Sequence, residues 1–188
     1  VYLINGLMES ILTNLQKIED LRVISRTSVE KYRNHSRTIP EIAEELNVRY
    51  FVEGSGQKIG DQILLNIQLI EAATDNHLWA EQYNREVKDI FGLQQEVAKN
   101  IANKIEVIIT PEEVERIEKI PTQNLDAYDE FLRGLDLFHQ ENYVEAIGYY
   151  KRAIELDEEF ARAYAGLAME RELDHISQAL DNPRRPVM

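Results

Sequence analysis

The period of the hydrophobic pattern changes twice along this chain of 188 residues, and that change limits the folds open to it. Apolar residues recur at helical spacing up to residue 47, alternate with polar ones from Val48 to Arg85, and then return to helical spacing. Four alternating residues form the apolar face of one strand: Ile63, Leu65, Ile67 and Leu69. This alternation is typical of antiparallel strands with one solvated face. The pattern predicts an α/β (α+β) fold, with a mixed sheet of antiparallel hairpins covered by helices.

Capping signals locate the helices around these strands. A first helix is predicted over Asn5–Ile18, with its first residue as the N-cap, and Leu21–Ser25 follows as a short buried strand. Thr38–Glu41 and Thr110–Glu113 both have capping-box spacing, in which a glutamate follows a threonine by three residues. The helix after the first box ends near Asn47, a residue type that tolerates the left-handed conformation.

Turn-forming residues separate three predicted strands. Tyr50–Glu53 belongs to the first strand, and Gly60-Asp61 forms the turn that leads into the second. Thr74–Asn76 forms the next turn, before a third strand over Leu78–Arg85. Asp89 is then placed to cap a long amphipathic helix.

Pro121–Asn124 interrupts the helical pattern and marks the predicted domain boundary. Residues 1–120 are predicted to form the α/β domain and residues 121–176 an all-α region. Within that region, helices are expected over residues 127–140 and 143–156, and a third begins near Glu159. Residues 177–188 are predicted to be a disordered tail.

Composition excludes several classes of function. The net charge of −13 argues against nucleic acid and against anionic membrane surfaces, because both attract lysine and arginine. Cysteine is absent, which removes disulfides and thiolate chemistry. No stretch approaches a membrane span, and the start at Val1 without a signal peptide predicts a piece of a longer protein. Both the bacterial cytoplasm and the periplasm stay open, and the parent protein could carry a membrane anchor.

Residues with catalytic potential are scattered. The four histidines have no metal-ligand spacing: His35, His77, His139 and His175. Asp61, Glu71 and Asp75 could suggest a cation site, but solvated turn carboxylates are the simpler interpretation. Gly54–Gly56 lacks the lysine and following helix of a phosphate loop. No catalytic residue, metal ligand or cofactor is therefore predicted.

The sole tryptophan lies in the third predicted strand. Trp79 and Tyr83 share one strand face, where they could form either a ligand platform or part of a core or interface. The core or interface use is the commoner one for two large aromatic residues at this spacing.

Several stretches of residues 2–121 resemble the TolB-type amino-terminal domain, also described as FlgO-like. The matching residues are Asn5-Gly6-Leu7 with Glu9, Val23–Ser28, Val52–Ser55, Gln68–Ile70 with Ala73-Thr74, His77–Glu81 and Asp89–Phe91. The resemblance implies a domain that precedes tetratricopeptide repeats in bacterial proteins related to adenylate cyclases and transmembrane regulators. It also implies that the family's opening strand is missing, which would leave an edge or gap in the sheet. Gly56 replaces the family's branched residue, which could weaken the strand or admit a bulge.

The all-α region partly resembles a tetratricopeptide repeat, with one full repeat and part of a second. The small and aromatic positions are Gly134, Ala146, Tyr150 and Ala153. An offset of about 34 residues pairs Gly134 with Ala168, whereas the two Ala-Tyr pairs imply 36, so the register stays open. The repeat's usual large residues are replaced by Glu130 and Arg133, and its proline by Glu158.

One apolar stripe is a candidate protein-interaction or interdomain surface. It consists of Tyr128, Phe131, Leu135 and Phe138. Packing against the preceding domain or the next helices is the leading hypothesis, and an apolar peptide groove is the alternative.

These observations favour a non-catalytic regulatory or scaffolding module that mediates protein–protein interactions in a bacterial signalling or transcription-regulatory protein. An accessory domain of an adenylate cyclase, whose catalytic domain lies elsewhere, is one alternative. An envelope-associated assembly factor is another, by analogy alone. The expected partners are proteins, including a second copy paired through a sheet edge, with no nucleic acid and no direct membrane contact.

Overall fold

A computed structural model describes residues 2–32 and 37–169 of the protein. The chain divides into two compact units, Leu3–Lys119 and the residues from Ile120 onward. The predicted α+β class is confirmed, because helices accompany an antiparallel sheet. The predicted loop at residues 34–36, His35, His175 and the predicted tail at residues 177–188 lie outside the described residues. The assignment of residues 1–120 and 121–176 to two functional domains stays a prediction.

The sheet of the first unit contains three described strands in the order β1-β2-β3, with both neighbouring pairs antiparallel. The strands are β1 (Tyr50–Ile59), β2 (Gln62–Glu71) and β3 (Asn76–Glu86). The predicted apolar face of β2 is confirmed, since its four alternating residues are fully buried. Gly60 makes the β1–β2 turn with φ +58°, a conformation that suits glycine. One strand residue, Leu78, is bulged out of the β2–β3 register.

The first unit contains five described α-helices: three precede the sheet in the sequence and two follow it. They are α1 (Tyr2–Leu15), α2 (Arg26–Glu30), α3 (Ile39–Leu46), α4 (Ile90–Lys104) and α5 (Pro111–Glu118). Asn5 lies inside α1, so its prediction as an N-cap is wrong. The helix begins earlier, at Tyr2, and this added turn buries Leu3 and Ile4. The predicted strand at Leu21–Ser25 is also wrong, because this segment pairs with no described strand.

Several predicted caps are confirmed. At α5 the Thr110 backbone N–H donates to the Glu113 carboxylate at 2.8 Å, and the Glu113 N–H donates to the Thr110 hydroxyl oxygen at 3.3 Å. At α3 the Glu41 carboxylate accepts from the Thr38 N–H at 2.7 Å. Asn47 ends α3 with φ 51°, in the left-handed conformation. Asp89 stands at the N-cap of α4, but its side chain makes no capping hydrogen bond.

Helix α1 packs closely against β1, and two glycines permit this approach. A Cβ atom at Gly54 would lie 2.3 Å from the sulfur of Met8. A Cβ atom at Gly56 would lie 3.2 Å from Ile4 Cδ1 and 2.5 Å from the Leu64 carbonyl oxygen. The β1–β2 register is continuous through both glycines, so Gly56 introduces no bulge, one of the two outcomes considered for it. The Gly-Ser-Gly sequence therefore serves helix–sheet packing.

The second unit is helical over its described residues. Helices α6 (Leu125–His139) and α7 (Tyr143–Leu156) form a hairpin, and residues 161–169 are also helical. The Asn124 side chain caps α6 by accepting from the N–H groups of Asp126 and Ala127 at 3.0 and 3.1 Å. The two helices approach closely at Gly134, because a Cβ atom there would lie 2.8 Å from the Tyr150 ring.

Candidate functional site

The four residues of the predicted apolar stripe have different environments. Tyr128 and Phe131 are 2% and 4% exposed, whereas Leu135 and Phe138 are only partly buried. The ring centroid of Phe160, which precedes the last described helical stretch, lies 5.1 Å from that of Phe131 and 6.4 Å from that of Tyr128. The first two residues therefore contribute to the core of the second unit, and the outer two retain accessible surface.

Tyr150 lies at the centre of this core, between two glycines. A Cβ atom at Gly134 or at Gly166 would lie 2.8 Å from its ring, and the ring itself is 1% exposed. Its centroid also lies 5.7 Å from that of Phe131. An offset of 34 residues pairs Gly134 with Ala168, whereas the structure places Gly166 against the same ring as Gly134. The sequence signal for Gly166 is only a small residue in a helical pattern, which does not identify the ring that it faces.

The polar residues at Glu130 and Arg133 have local ion-pair partners. The Arg152 guanidinium lies 2.6 Å from the Glu130 carboxylate, and that of Arg133 lies 2.8 Å from the Asp129 carboxylate. These pairs are partly solvent-exposed, so each contributes at most about 1 kcal/mol. Their polar character therefore suits the surface of α6, where large apolar residues were expected.

Phe138 is the most accessible aromatic group of the stripe and lies near the α6–α7 turn. Its ring centroid lies 5.8 Å from that of Tyr143, the first residue of α7. The next residue, Val144, is 74% exposed. A partly exposed aromatic ring near this turn, with an exposed valine in the first turn of α7, is the kind of feature found in protein interfaces.

The aromatic pair on β3 has a structural role at Tyr83, as the core interpretation predicted. Tyr83 is 1% exposed, its hydroxyl oxygen accepts from Asn100 Nδ2 at 3.0 Å, and the hydroxyl donates to Glu81 at 3.2 Å. Burial raises the pKa of this phenol to about 12, so it stays neutral at physiological pH. Trp79, two residues before Glu81 on the same strand, is partly buried.

The residues with catalytic potential remain dispersed in the structure. His77 is exposed at the start of β3, and the Glu71 carboxylate accepts from the Thr74 hydroxyl at 2.9 Å. Within residues 2–32 and 37–169, no three acidic or histidine side chains stand close enough to hold a metal ion. Among the same residues, no helix combines the length and apolar character needed to cross a membrane.

The first unit also contains an apolar groove that the sequence does not predict. Its volume is about 350 Å³, and its lining includes Leu12, Leu15, Val23, Ile24, Val52 and Ile101. The segment predicted as the strand Leu21–Ser25 forms one wall, and the start of β1 forms another. The apolar run at Val23-Ile24 was the available signal, but a sequence pattern does not reveal that such a run lacks a partner strand.

The α+β unit defined by α1, the three-stranded sheet and α4 corresponds to a known regulatory domain. Residues 2–100 match the family described as "HilA/YgeH-like transcriptional regulator, second domain". This match covers more than half of the chain, and the chain therefore belongs to that family.

A curated relative is also similar over nearly the whole chain. It is named "Putative adenylate cyclase 3" and comes from Rhizobium meliloti (strain 1021). The two sequences are 37% identical over 180 residues, which cover 94% of this chain. The chain spans only 31% of the length of that relative.

The family match corrects the resemblance drawn from the motifs. The assignment to a TolB-type (FlgO-like) domain followed by a tetratricopeptide repeat is wrong, since the matching family is the regulator domain and no family of those three kinds matches. The quoted motifs lie mainly within α1 and the three strands and at the starts of α2 and α4, and elements of these kinds occur in many α+β domains. Likewise, Gly134 facing Tyr150 shows that two helices pack closely, which is not specific to one kind of repeat.

Proposed function

We propose that this chain is a non-catalytic regulatory module that mediates protein–protein interactions in a bacterial transcription-regulatory or signalling protein. The single observation that carries the proposal is the match of residues 2–100 to the second domain of a transcriptional regulator. The net charge of the chain, −13, supports protein partners over direct contacts with DNA phosphates. The envelope-assembly alternative depended on the FlgO analogy and loses its basis.

The second unit offers the surface that we propose for partner contact. Leu135 and Phe138 keep accessible area, whereas Tyr128 and Phe131 are committed to internal packing. The contact surface that we infer is therefore smaller than the four-residue stripe of the sequence analysis. Self-association through a sheet edge is the alternative mode of contact, because β1 and β3 are the edges of the described sheet.

A competition experiment on the full-length protein tests this proposal. The isolated chain, added in excess, is expected to reduce the regulatory output of the full-length protein, because it occupies the same partner. Phe138→Glu should abolish this competition, while Ile108→Glu, at a site 82% exposed in the first unit, should leave it intact. Equal competition by both variants would refute the Phe138 surface. Turnover of a nucleoside triphosphate by the chain alone, or salt-dependent DNA binding, would refute the non-catalytic, protein-binding assignment.

An accessory domain of a nucleotide-cyclising signalling enzyme is the second candidate. The observation that favours it is the 37% identity to the Rhizobium meliloti relative, whose name refers to adenylate cyclase. In this case the catalytic domain lies outside the chain, and the module modulates its activity. Deletion of residues 1–188 from the full-length protein would then change cyclic AMP formation, whereas a purely transcriptional role predicts altered transcript levels without cyclase activity.

A further inference from the structure

The turn between α6 and α7 carries three apolar residues that keep accessible surface. The ring centroids of Phe138 and Tyr143 lie 5.8 Å apart, and both residues are only partly buried. Val144, the residue after Tyr143, is 74% exposed. We call Phe138, Tyr143 and Val144 the turn patch.

The backbone of this turn is held by its own hydrogen bonds. The N–H groups of Gln140 and Asn142 both donate to the Leu137 carbonyl oxygen at 3.0 Å. The Glu141 N–H donates to the Phe138 carbonyl oxygen at 2.9 Å. A partner that binds the turn patch therefore has little backbone to order, which lowers the entropic cost of binding.

Two exposed carboxylates flank the turn patch. Glu141 lies in the turn itself, and Glu145 directly follows Val144 in the first turn of α7. Within residues 2–32 and 37–169, neither glutamate forms an ion pair. Two negative charges next to the patch are therefore not compensated by the described part of the chain.

The basic residues of the second unit lie elsewhere. No lysine or arginine occurs in the sequence between Arg133 and Lys151. Arg133 and Arg152 pair with carboxylates on α6, and the Arg162 guanidinium lies 5.0 Å from the centroid of the Phe131 ring. Lys151 follows Tyr143 by eight residues, which is about 12 Å along the axis of α7.

This combination of groups selects the chemistry of a partner. A purely apolar partner would remove water from the two carboxylates without replacing its hydrogen bonds, which is unfavourable. An acidic partner would be repelled. A lysine or arginine side chain suits both features, because its apolar stem can lie on an aromatic ring while its charged end reaches a carboxylate.

We propose that the turn patch binds a short amphipathic segment of a partner protein, in which lysine or arginine residues stand next to apolar ones. The apolar side chains of this segment contact Phe138, Tyr143 and Val144, and its basic groups pair with Glu141 and Glu145. This inference rests on the proposed function, because it names the chemistry of the partner for the same region of the second unit.

Model peptides of about 14 residues test the preference for basic groups. Three helical peptides share one leucine stripe and carry lysine, glutamine or glutamate at the polar positions. Fluorescence anisotropy is expected to show that the lysine peptide binds the chain at least about tenfold more tightly than the glutamine peptide does. The glutamate peptide should not bind. Val144→Ser should weaken binding of both the lysine and the glutamine peptides, because it removes an apolar contact.

A matched pair of double variants separates the turn patch from the general acidity of the chain. Glu141→Gln combined with Glu145→Gln should weaken binding of the lysine peptide by about threefold to tenfold and leave the glutamine peptide unaffected. Glu155→Gln combined with Glu158→Gln changes the net charge equally, at two exposed glutamates near the end of α7. This control should change the affinity by less than about twofold, because salt screens distant charges.

Four results would overturn the proposal. Equal weakening by the two double variants would show that the peptide only senses the overall charge. Equal affinity for the lysine and glutamine peptides would assign the patch to an apolar partner without basic groups. Failure of the lysine peptide to bind would show that the patch does not recognise this chemistry. Tighter binding after Arg184→Gln with Arg185→Gln would make the chain's own basic residues the occupant.

The competition experiment with the full-length protein distinguishes this inference from the proposed function. The Glu141→Gln, Glu145→Gln chain should need about threefold to tenfold higher concentrations to compete, whereas the Glu155→Gln, Glu158→Gln chain should compete like the original. If Phe138→Glu abolishes competition but the first double variant competes fully, the protein-binding function stands and the basic partner is wrong. If the original chain fails to compete, the proposed function is wrong.

Discussion

Both units of this protein use glycine to bring elements close together, but the groups that face the glycines differ. In the first unit, Gly54 faces the flexible end of Met8, and Gly56 faces the Leu64 carbonyl oxygen. In the second unit, Gly134 and Gly166 both face the rigid ring of Tyr150. The cost of replacing a glycine should therefore depend on whether the facing group can move: it is small opposite the Met8 side chain and larger opposite a backbone carbonyl oxygen or the packed Tyr150 ring.

The largest expected effect is at the aromatic core of the second unit. Tyr150→Ala should lower the free energy of unfolding by about 3–5 kcal/mol, because it leaves a cavity between two glycines and the Phe131 ring. Equilibrium urea denaturation measures this change. Tyr149→Ala is the control on the same helix, because this residue is only partly buried and the Arg152 guanidinium lies 4.1 Å from the centroid of its ring; a loss of about 1 kcal/mol is expected. Similar losses for both variants would show that Tyr150 has no special role.

The second-largest expected effect is a difference in stability loss between substitutions at the two glycines of β1. Gly56→Ala should cost about 2–3 kcal/mol, since its Cβ atom would meet a backbone carbonyl oxygen that cannot rotate away. Gly54→Ala should cost less than about 1 kcal/mol, because the end of the Met8 side chain can adopt another rotamer. Thermal or urea denaturation of the two variants side by side provides the measurement. The reverse order would contradict the argument from mobility of the facing group.

A smaller effect is expected at the helical glycines of the second unit. Gly134→Ala should destabilise by about 1–2 kcal/mol, because the clash with Tyr150 outweighs the gain in helix propensity. Gly148→Ala on α7 is the matched control, since its Cβ atom would approach only Arg152 Nη1, at 3.6 Å. That variant should be more stable by up to about 1 kcal/mol. Stabilisation by both substitutions would show that the Tyr150 ring can shift to make room for the Cβ atom at little energetic cost.

The smallest effect concerns acid stability in the first unit. Hydrogen bonds from the backbone N–H groups of Glu19 and Thr110 hold the pKa of Glu113 below its ordinary value of 4.5. The folded-state pKa is depressed, so the stabilisation is present above about pH 4.5 and is lost as the pH falls through the lower folded value. Glu113→Gln should therefore reduce the loss of stability between about pH 5 and pH 3. Glu112→Gln, at an exposed neighbouring carboxylate, should leave that loss unchanged.

The strands and capping boxes were predictable because their signals are local. The alternating residues of Ile63–Leu69 form a buried strand face, and Thr110 forms a capping box with Glu113. Each signal can be read from residues close together in the sequence. Leu21–Ser25 was mispredicted because an apolar run has the same composition whether or not it pairs, and pairing depends on distant segments. The helix start was misplaced because burial of Leu3 and Ile4 outweighs the local preference of Asn5.

The candidate surface was only partly predictable for the same reason. An apolar stripe on one face of a helix indicates that this face is covered, without identifying what covers it. For Tyr128 and Phe131 the cover includes Phe160, which is about thirty residues away in sequence. Leu135 and Phe138 carry the same pattern but keep accessible area, a distinction that requires the packed structure.

The contact between Glu19 and Glu113 has a consequence for the order of events during synthesis. The Glu19 backbone N–H donates to the Glu113 carboxylate at 2.7 Å across a separation of 94 residues. At roughly 5–20 residues per second, the ribosome needs on the order of 5 to 20 seconds to make that intervening stretch. The segment after α1 therefore gains this hydrogen bond only once α5 has left the ribosome. So long-range a contact forms late in synthesis, after the three strands and α4 that lie between its partners in the sequence have been made.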